Sequence, residues 1–421
     1  MNSKTLKVFG LVGAALALEC SAVTLSVDKV QQRYPWNGLV DIDYTIGFAE
    51  GEAPIDVRQE RLVFTLVDES VSPATTNGMH YLNDGAPLAT TAGTYRVTWN
   101  ANADGVTTVS DAAKVRLALR RWAPKYMIVD VSGGTAAETF DVSYMDAPPT
   151  TEGGFNCNEY KGDKIVFRLI PPGSFVMGSD PSVYSRKTNG SEDQHNVVLS
   201  KAFYIGIFEL TQKQYVNIMG AKTFKYPGDY RPADKISYSE ICNSRGWPDD
   251  TTVGAGSILY VLRQKTGLEF NIPTDAQWEY ACRAGTTTPF YHGAPEKDDV
   301  TTWAEFAAAI GRLSGNKSDG VGGEEYNDGP TIVGSYQPNA WGLYDMIGNI
   351  AELIRDWIPA DMTWRDRTVD PVGPAYVNTI LRRGGDFSRA AVYSTASFRD
   401  SFDHASDVRD YVGCRLSLIA E

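Results

Sequence analysis

Thiols and imidazoles, the side chains that most often hold transition metals or attack substrates, are sparse in this chain. Beyond residue 22 there are four cysteines, Cys157, Cys242, Cys282 and Cys414, and none has a CxxC neighbour. The four histidines, His80, His195, His292 and His404, are scattered. A Cys/His zinc site is therefore not expected. Four thiols in an oxidising compartment permit disulfides, with three possible connectivities. A different chemistry is concentrated near the C-terminus. From Asp386 to Tyr411, Phe387, Tyr393, Phe398, Phe402 and Tyr411 interleave with Arg389, Asp400, Asp403, His404 and Asp407. Rigid aromatics among adaptable polar groups suit ligand recognition. The candidate ligand face is Asp386, Phe387, Arg389, Tyr393 and Phe398, with about half of the strip's aromatics expected in the core.

The chain has 421 residues and a formal charge of -13. No local cluster of Lys and Arg offsets that acidity, so counterion release cannot drive nucleic-acid binding. Lys4 and Lys7 precede the apolar run Val8–Leu18 and then Cys20-Ser-Ala22. A basic start, a short apolar stretch and a small-residue exit describe a secretory signal peptide over residues 1–22, cleaved after Ala22. The run is well short of the ~20 residues that span a bilayer. Glu19 stands where lipid attachment at Cys20 would need a small residue. The expectation is an exported protein, secreted, periplasmic or at the cell surface, with no span in its mature form.

These side chains need a scaffold, and the pattern suggests two. Residues 23–145 read as β: Val40, Ile42, Tyr44 and Ile46 alternate with polar residues, the period that turns one strand face inward. Similar runs at 24–27, 61–67, 95–99, 114–120, 127–131 and 140–144 make about seven strands. That number suits an immunoglobulin-like sandwich, here without an inter-sheet disulfide. Residues 146–164, opening with Asp-Ala-Pro-Pro-Thr-Thr-Glu-Gly-Gly, read as a linker. In 165–421 periodicity is patchy. Thr211-x-x-Gln214 and Thr274-x-x-Gln277 are capping boxes that open helices, and a third helix runs from Ser257 to Lys265, ended by Gly267.

Several fragments then follow in one order: Ile170-Pro-Pro-Gly-Ser-Phe-Val-Met-Gly-Ser179, Phe203-Tyr-Ile-Gly-Ile-Phe-Glu-Leu-Thr211, Ile272-Pro-Thr-Asp-Ala-Gln-Trp-Glu-Tyr-Ala-Cys-Arg-Ala-Gly285, Val333–Met346, Gly348-Asn349, Arg382-Arg-Gly-Gly385 and Gly413-Cys-Arg415. Together they resemble the formylglycine-generating-enzyme (sulfatase-modifying factor) family over residues 167–418. The resemblance implies an α+β fold of C-type-lectin-like type. It also implies, for active members, oxidation of a sulfatase cysteine with O₂ and a copper ion held by two cysteines just after the Arg-Gly-Gly segment. In this chain Arg389 and Ser394 stand near those two positions, and no cysteine lies between Gly385 and Gly413. Cu(I) prefers soft thiolates; arginine cannot ligate it and a serine hydroxyl is hard. The copper mechanism is therefore not expected, although Cys282 matches a family position used for a structural disulfide.

The resemblance also implies structural Ca²⁺, a hard ion wanting six to eight oxygens. Asn349 and Glu352 match one site; Asn316 and Glu325, with Asn327 as the alternative to Glu325, fall near another. The functional expectation is a non-catalytic module binding a protein or glycan ligand outside the cytoplasm. A formylglycine-generating oxidase acting on a sulfatase cysteine is the alternative.

Overall fold

The computed structural model describes residues 23–420 apart from 34–36, 50–54, 56–59, 69–74, 80–81, 83–87, 103, 105, 107–112, 122–123, 181–191, 245–251, 296–299, 315, 317–328, 358–367, 374–378 and 403–405. The chain divides into two compact units, residues 1–123 and 124–421. The architecture is mixed α and β, mostly sheet with few helices. The proposed signal peptide, Glu325, Asn327, Asp403 and His404 lie outside the described residues.

The first unit contains β1 (Val23–Gln32), β2 (Leu39–Phe48), β3 (Glu60–Asp68), β4 (Thr75–Gly78), β5 (Gly93–Asn100) and β6 (Ala113–Arg121). They form two three-stranded antiparallel sheets, ordered β1-β2-β5 and β4-β3-β6. The alternation read in the sequence decides which face is buried. Val40, Ile42, Tyr44 and Ile46 of β2 point into the core, whereas Asp41 and Asp43 pair outside with Arg33 and Arg96. Tyr44 meets Phe64 of the other sheet edge-on, with ring centroids 5.1 Å apart.

The boundary expected at residue 145 is corrected. β7 (Tyr126–Asp130) and β8 (Asp141–Met145) belong to the second unit, because β7 pairs antiparallel with β9 (Lys164–Ile170) as well as with β8. Their alternation was legible; their partners, dozens of residues downstream, were not. The expected linker is corrected too. Phe155 is buried in the second unit's core, and α1 (Asn158–Gly162) forms within the stretch. The Lys161 carbonyl accepts from Thr211 Oγ1 at 2.7 Å.

β9 is central to a five-stranded sheet of order β17-β12-β9-β7-β8, where β12 is Phe203–Gly206 and β17 is Ser417–Ile419. A hairpin pairs β10 (Gly173–Met177) with β11 (His195–Leu199). A second sheet, of order β15-β14-β13-β16, comprises β13 (Ala351–Trp357), β14 (Ile380–Arg383), β15 (Asp400–Phe402) and β16 (Val412–Cys414). The helices include α2 (Gln212–Met219) and α3 (Tyr238–Ile241), then α4 (Ile258–Thr266), α5 (Asp275–Arg283) and α6 (Val300–Ala307). Thr211 and Thr274 form the expected capping boxes, and Gly267 ends α4 in the left-handed region at φ 74°. Helices α1, α3 and α6 were not foreseen; the first two are a single turn or little more.

Candidate functional site

Helix α5 places Asp275, Glu279 and Arg283 four residues apart on one buried face. Arg383 at the end of β14 and Arg399 just before β15 reach this face, and none of the five is more than 3% exposed. Asp275 accepts from Arg383 Nε at 2.5 Å and from Arg399 Nε at 2.8 Å. Glu279 Oε2 accepts from Arg383 Nη2 at 2.7 Å. Its Oε1 accepts from Arg283 Nη2 at 2.8 Å and from the Gly178 amide at 2.7 Å. Burial alone would raise the Glu279 carboxyl, but the three arginines outweigh it and bring it down to about 2. Arg383 Nη1 also donates to the carbonyls of Ala396 and Phe398, at 2.8 and 3.2 Å. The lattice therefore holds the strip of residues 386–400 from beneath.

That strip contains both positions expected near the family's thiols. The Arg389 side chain is 40% exposed, pairs with Asp400 at 3.3 Å and Asp386 at 3.8 Å, and lies 5.9 Å from the Tyr393 ring centroid. Ser394 is fully buried, and its Oγ has no hydrogen-bond partner. It packs beneath Gly385, where φ is +70° and an added Cβ would lie 1.9 Å from that Oγ.

The expected ligand face is corrected in part. Arg389 and Tyr393 face solvent, but Asp386, Phe387 and Phe398 are buried. Phe387 meets Tyr226 edge-on at 5.3 Å, and Phe398 meets Tyr393 at 5.5 Å. The Asp386 carboxylate, which burial pushes above the usual range, turns inward to accept from the Ser388 amide at 2.9 Å. A strip without periodicity does not reveal which of its rings the core takes.

The nominated calcium residues are placed as follows. Glu352 and Asn349 share one buried cluster. Glu352 Oε1 accepts from Arg415 Nη2 at 2.6 Å, and its Oε2 accepts from Trp278 Nε1 at 2.7 Å. Asn349, at φ +61°, accepts from the Thr331 amide at 2.8 Å and donates to Glu209 Oε2 at 2.6 Å. Asn316 is linked to Asn349 through Arg312, whose carbonyl accepts from the Asn349 amide at 2.8 Å, and the Asn316 Oδ1 accepts from the Leu313 amide at 2.7 Å. Both oxygens of Glu352 and the side-chain oxygen of Asn349 are thus engaged by N–H donors. No group of three or more His, Cys, Asp or Glu that could hold a metal occurs among the described residues.

Two acids in this cluster were not foreseen as site residues, although both lie within the motif fragments. Burial, together with the charges of Asp345 and Glu352, raises Glu209. Burial pushes Asp345 up to about 6. Asp345 Oδ2 accepts from the Gly334 amide at 2.6 Å, and its Oδ1 has no partner. A charged residue inside an apolar motif was the available signal, since such a position is rarely buried without a role.

The disulfides that the sequence permits do not form among the described residues. Cys157, Cys242, Cys282 and Cys414 are all free thiols, and the last three are buried. Burial raises Cys242 and Cys282 to about 12 and raises Cys414 as well. Buried thiols held protonated at neutral pH are poor nucleophiles and poor metal ligands.

"Chaperone protein LppX" from Paenibacillus barcinonensis is 27% identical over 271 residues, covering 59% of this chain and 86% of LppX. The formylglycine-generating enzyme of Bos taurus is 24% identical over 256 residues, 52% of this chain and 64% of that enzyme, so the chain spans just under two-thirds of its length. Among solved structures, PvdO from Pseudomonas aeruginosa aligns with a TM-score of 0.49 at 23% identity, over 61% of this chain and 94% of PvdO. The model of the sulfatase-modifying factor enzyme 1-like domain matches residues 157–418, and the chain belongs to that family.

Proposed function

We propose that the second unit is a non-catalytic binding module of the sulfatase-modifying factor family, exported by its N-terminal segment and recognising a protein or glycan. The observation that carries this reading is the pair Arg389 and Ser394 near the positions of the family's thiols, with no cysteine from Gly385 to Gly413. Arg389 is committed to two carboxylates, and Ser394 is sealed beneath Gly385. The three buried cysteines, whose protons burial retains, offer no alternative thiolate pair. The similarity to a protein named as a chaperone supports action on polypeptides. The exposed Arg389–Tyr393 pair is the proposed contact point, because a rigid ring beside a fork of donors suits recognition at low entropic cost. A C-type-lectin-like fold for this unit and an immunoglobulin-like class for the first belong to the same reading.

Calcium is given no role at Asn349 and Glu352, since the oxygens nominated for it serve Thr331, Arg415 and Trp278.

The test is direct. Purified protein is incubated with copper, O₂ and a peptide containing Cys-x-Pro-x-Arg, and the product is examined by mass spectrometry. No aldehyde is expected. Sustained turnover would overturn the non-catalytic reading.

A further inference from the structure

At one end of the five-stranded sheet two cations lie together without an ion-paired acid among the described residues. Arg168 of β9 pairs in register with Tyr126 of β7. Its guanidinium carbon is 5.3 Å from the Tyr126 ring centroid, and the Lys125 ammonium is 5.9 Å from the same centroid. Arg168 Nη1 donates to the carbonyls of Leu169 and Lys125 at 2.8 and 3.3 Å. Its Nε is buried with no acceptor.

Among the described residues neither cation makes an ion pair with a carboxylate, although Asp146 follows Met145, the register partner of Tyr126. Burial lowers Arg168, opposed only by the phenols of Tyr126 and Tyr204; burial and then the Arg168 charge lower Lys125. Asp146 acts on the Tyr204 hydroxyl. Elsewhere in this unit the buried guanidiniums of Arg283, Arg383, Arg399 and Arg415 each meet a carboxylate. In a chain of net charge -13, a half-buried arginine and an adjacent lysine are left mutually repelling. Two carbonyls and an aromatic face offset only part of the cost of desolvating a guanidinium.

We infer that Arg168 and Lys125, floored by Tyr126, form a binding site for a ligand oxyanion, a carboxylate or a phosphate. The planar guanidinium offers directed donors to such a group, and Lys125, an exposed residue whose ammonium is partly desolvated, adds a point charge at the rim. The inference does not rest on the Asp386–Asp410 strip or on the absence of catalysis.

The experiment titrates the full chain with sodium phosphate and with sodium acetate against sodium chloride at matched ionic strength, following thermal stability and binding heat. One of the two oxyanions should give a saturable stabilisation beyond chloride. Stronger binding of acetate assigns a carboxylate ligand, and stronger binding of phosphate a phosphoryl one. Arg168→Gln should abolish the effect, and Lys125→Gln should weaken it about tenfold. The inference is overturned if chloride reproduces the shift or if both variants retain it. Should Arg168→Gln fail to fold, Lys125→Gln decides alone, since its lysine is exposed: unchanged affinity there overturns the site.

Discussion

Glu279→Gln is the most incisive perturbation of the lattice beneath the 386–400 strip. The substitution keeps the side chain's size but leaves Arg383 and Arg399 with Asp275 alone and strips Arg283 of its carboxylate partner. The folded carboxyl sits at about 2 against an ordinary 4.5. At about 1.36 kcal/mol per unit, that difference is worth about 3 kcal/mol. Because the folded value is depressed, this stability is fully present above pH ~4.5 and is lost as pH falls toward ~2. Breaking a buried pair by removing one partner costs about 3–5 kcal/mol, which agrees. Urea unfolding of the second unit, followed from pH 7 down to pH 3, should show the variant less stable by about 3 kcal/mol at pH 7. It should also have a shallower acid slope than the wild type below pH ~4.5. Adding Arg283→Gln restores the charge balance and should recover part of the loss. A variant within 1 kcal/mol of wild type at pH 7, or one with an unchanged acid slope, would refute the reasoning.

Glu352→Gln should cost about 3–5 kcal/mol by stranding Arg415, equally in calcium and in chelator; a loss confined to calcium would restore the metal reading. Asp345→Asn should raise stability at pH 7 by about 3 kcal/mol, at about 1.36 kcal/mol for each unit by which burial raises its carboxyl. Its folded carboxyl is raised, so the wild type loses stability as pH climbs through ~6, and the variant's advantage should vanish below pH ~4. A thiol reagent should modify Cys157 quickly in the native protein, and Cys242, Cys282 and Cys414 only after denaturation. Detecting a disulfide, or a second fast thiol beyond residue 22, would contradict the buried and free assignment.

Much of the scaffold was legible because it rests on local rules. The alternation in β2, the boxes at Thr211 and Thr274 and the stop at Gly267 are written within a few residues each. The ownership of β7 and β8 was not, since it depends on pairing with β9. The candidate site divides along the same line. That Arg389 and Ser394 cannot be copper thiolates is a matter of residue identity, readable without coordinates. That Ser394 is sealed, that Phe387 and Phe398 face inward, and that Glu352 serves Arg415 rather than an open site are matters of packing.

The sequence by itself determined the family, through ordered motifs, and the vacancy at its thiol positions, through the side chains present. Only the tertiary structure decided which donors each buried acid meets. A carboxylate's role is set by the donors brought to it from distant strands and by the water removed around it, and neither is encoded within a few residues of the acid.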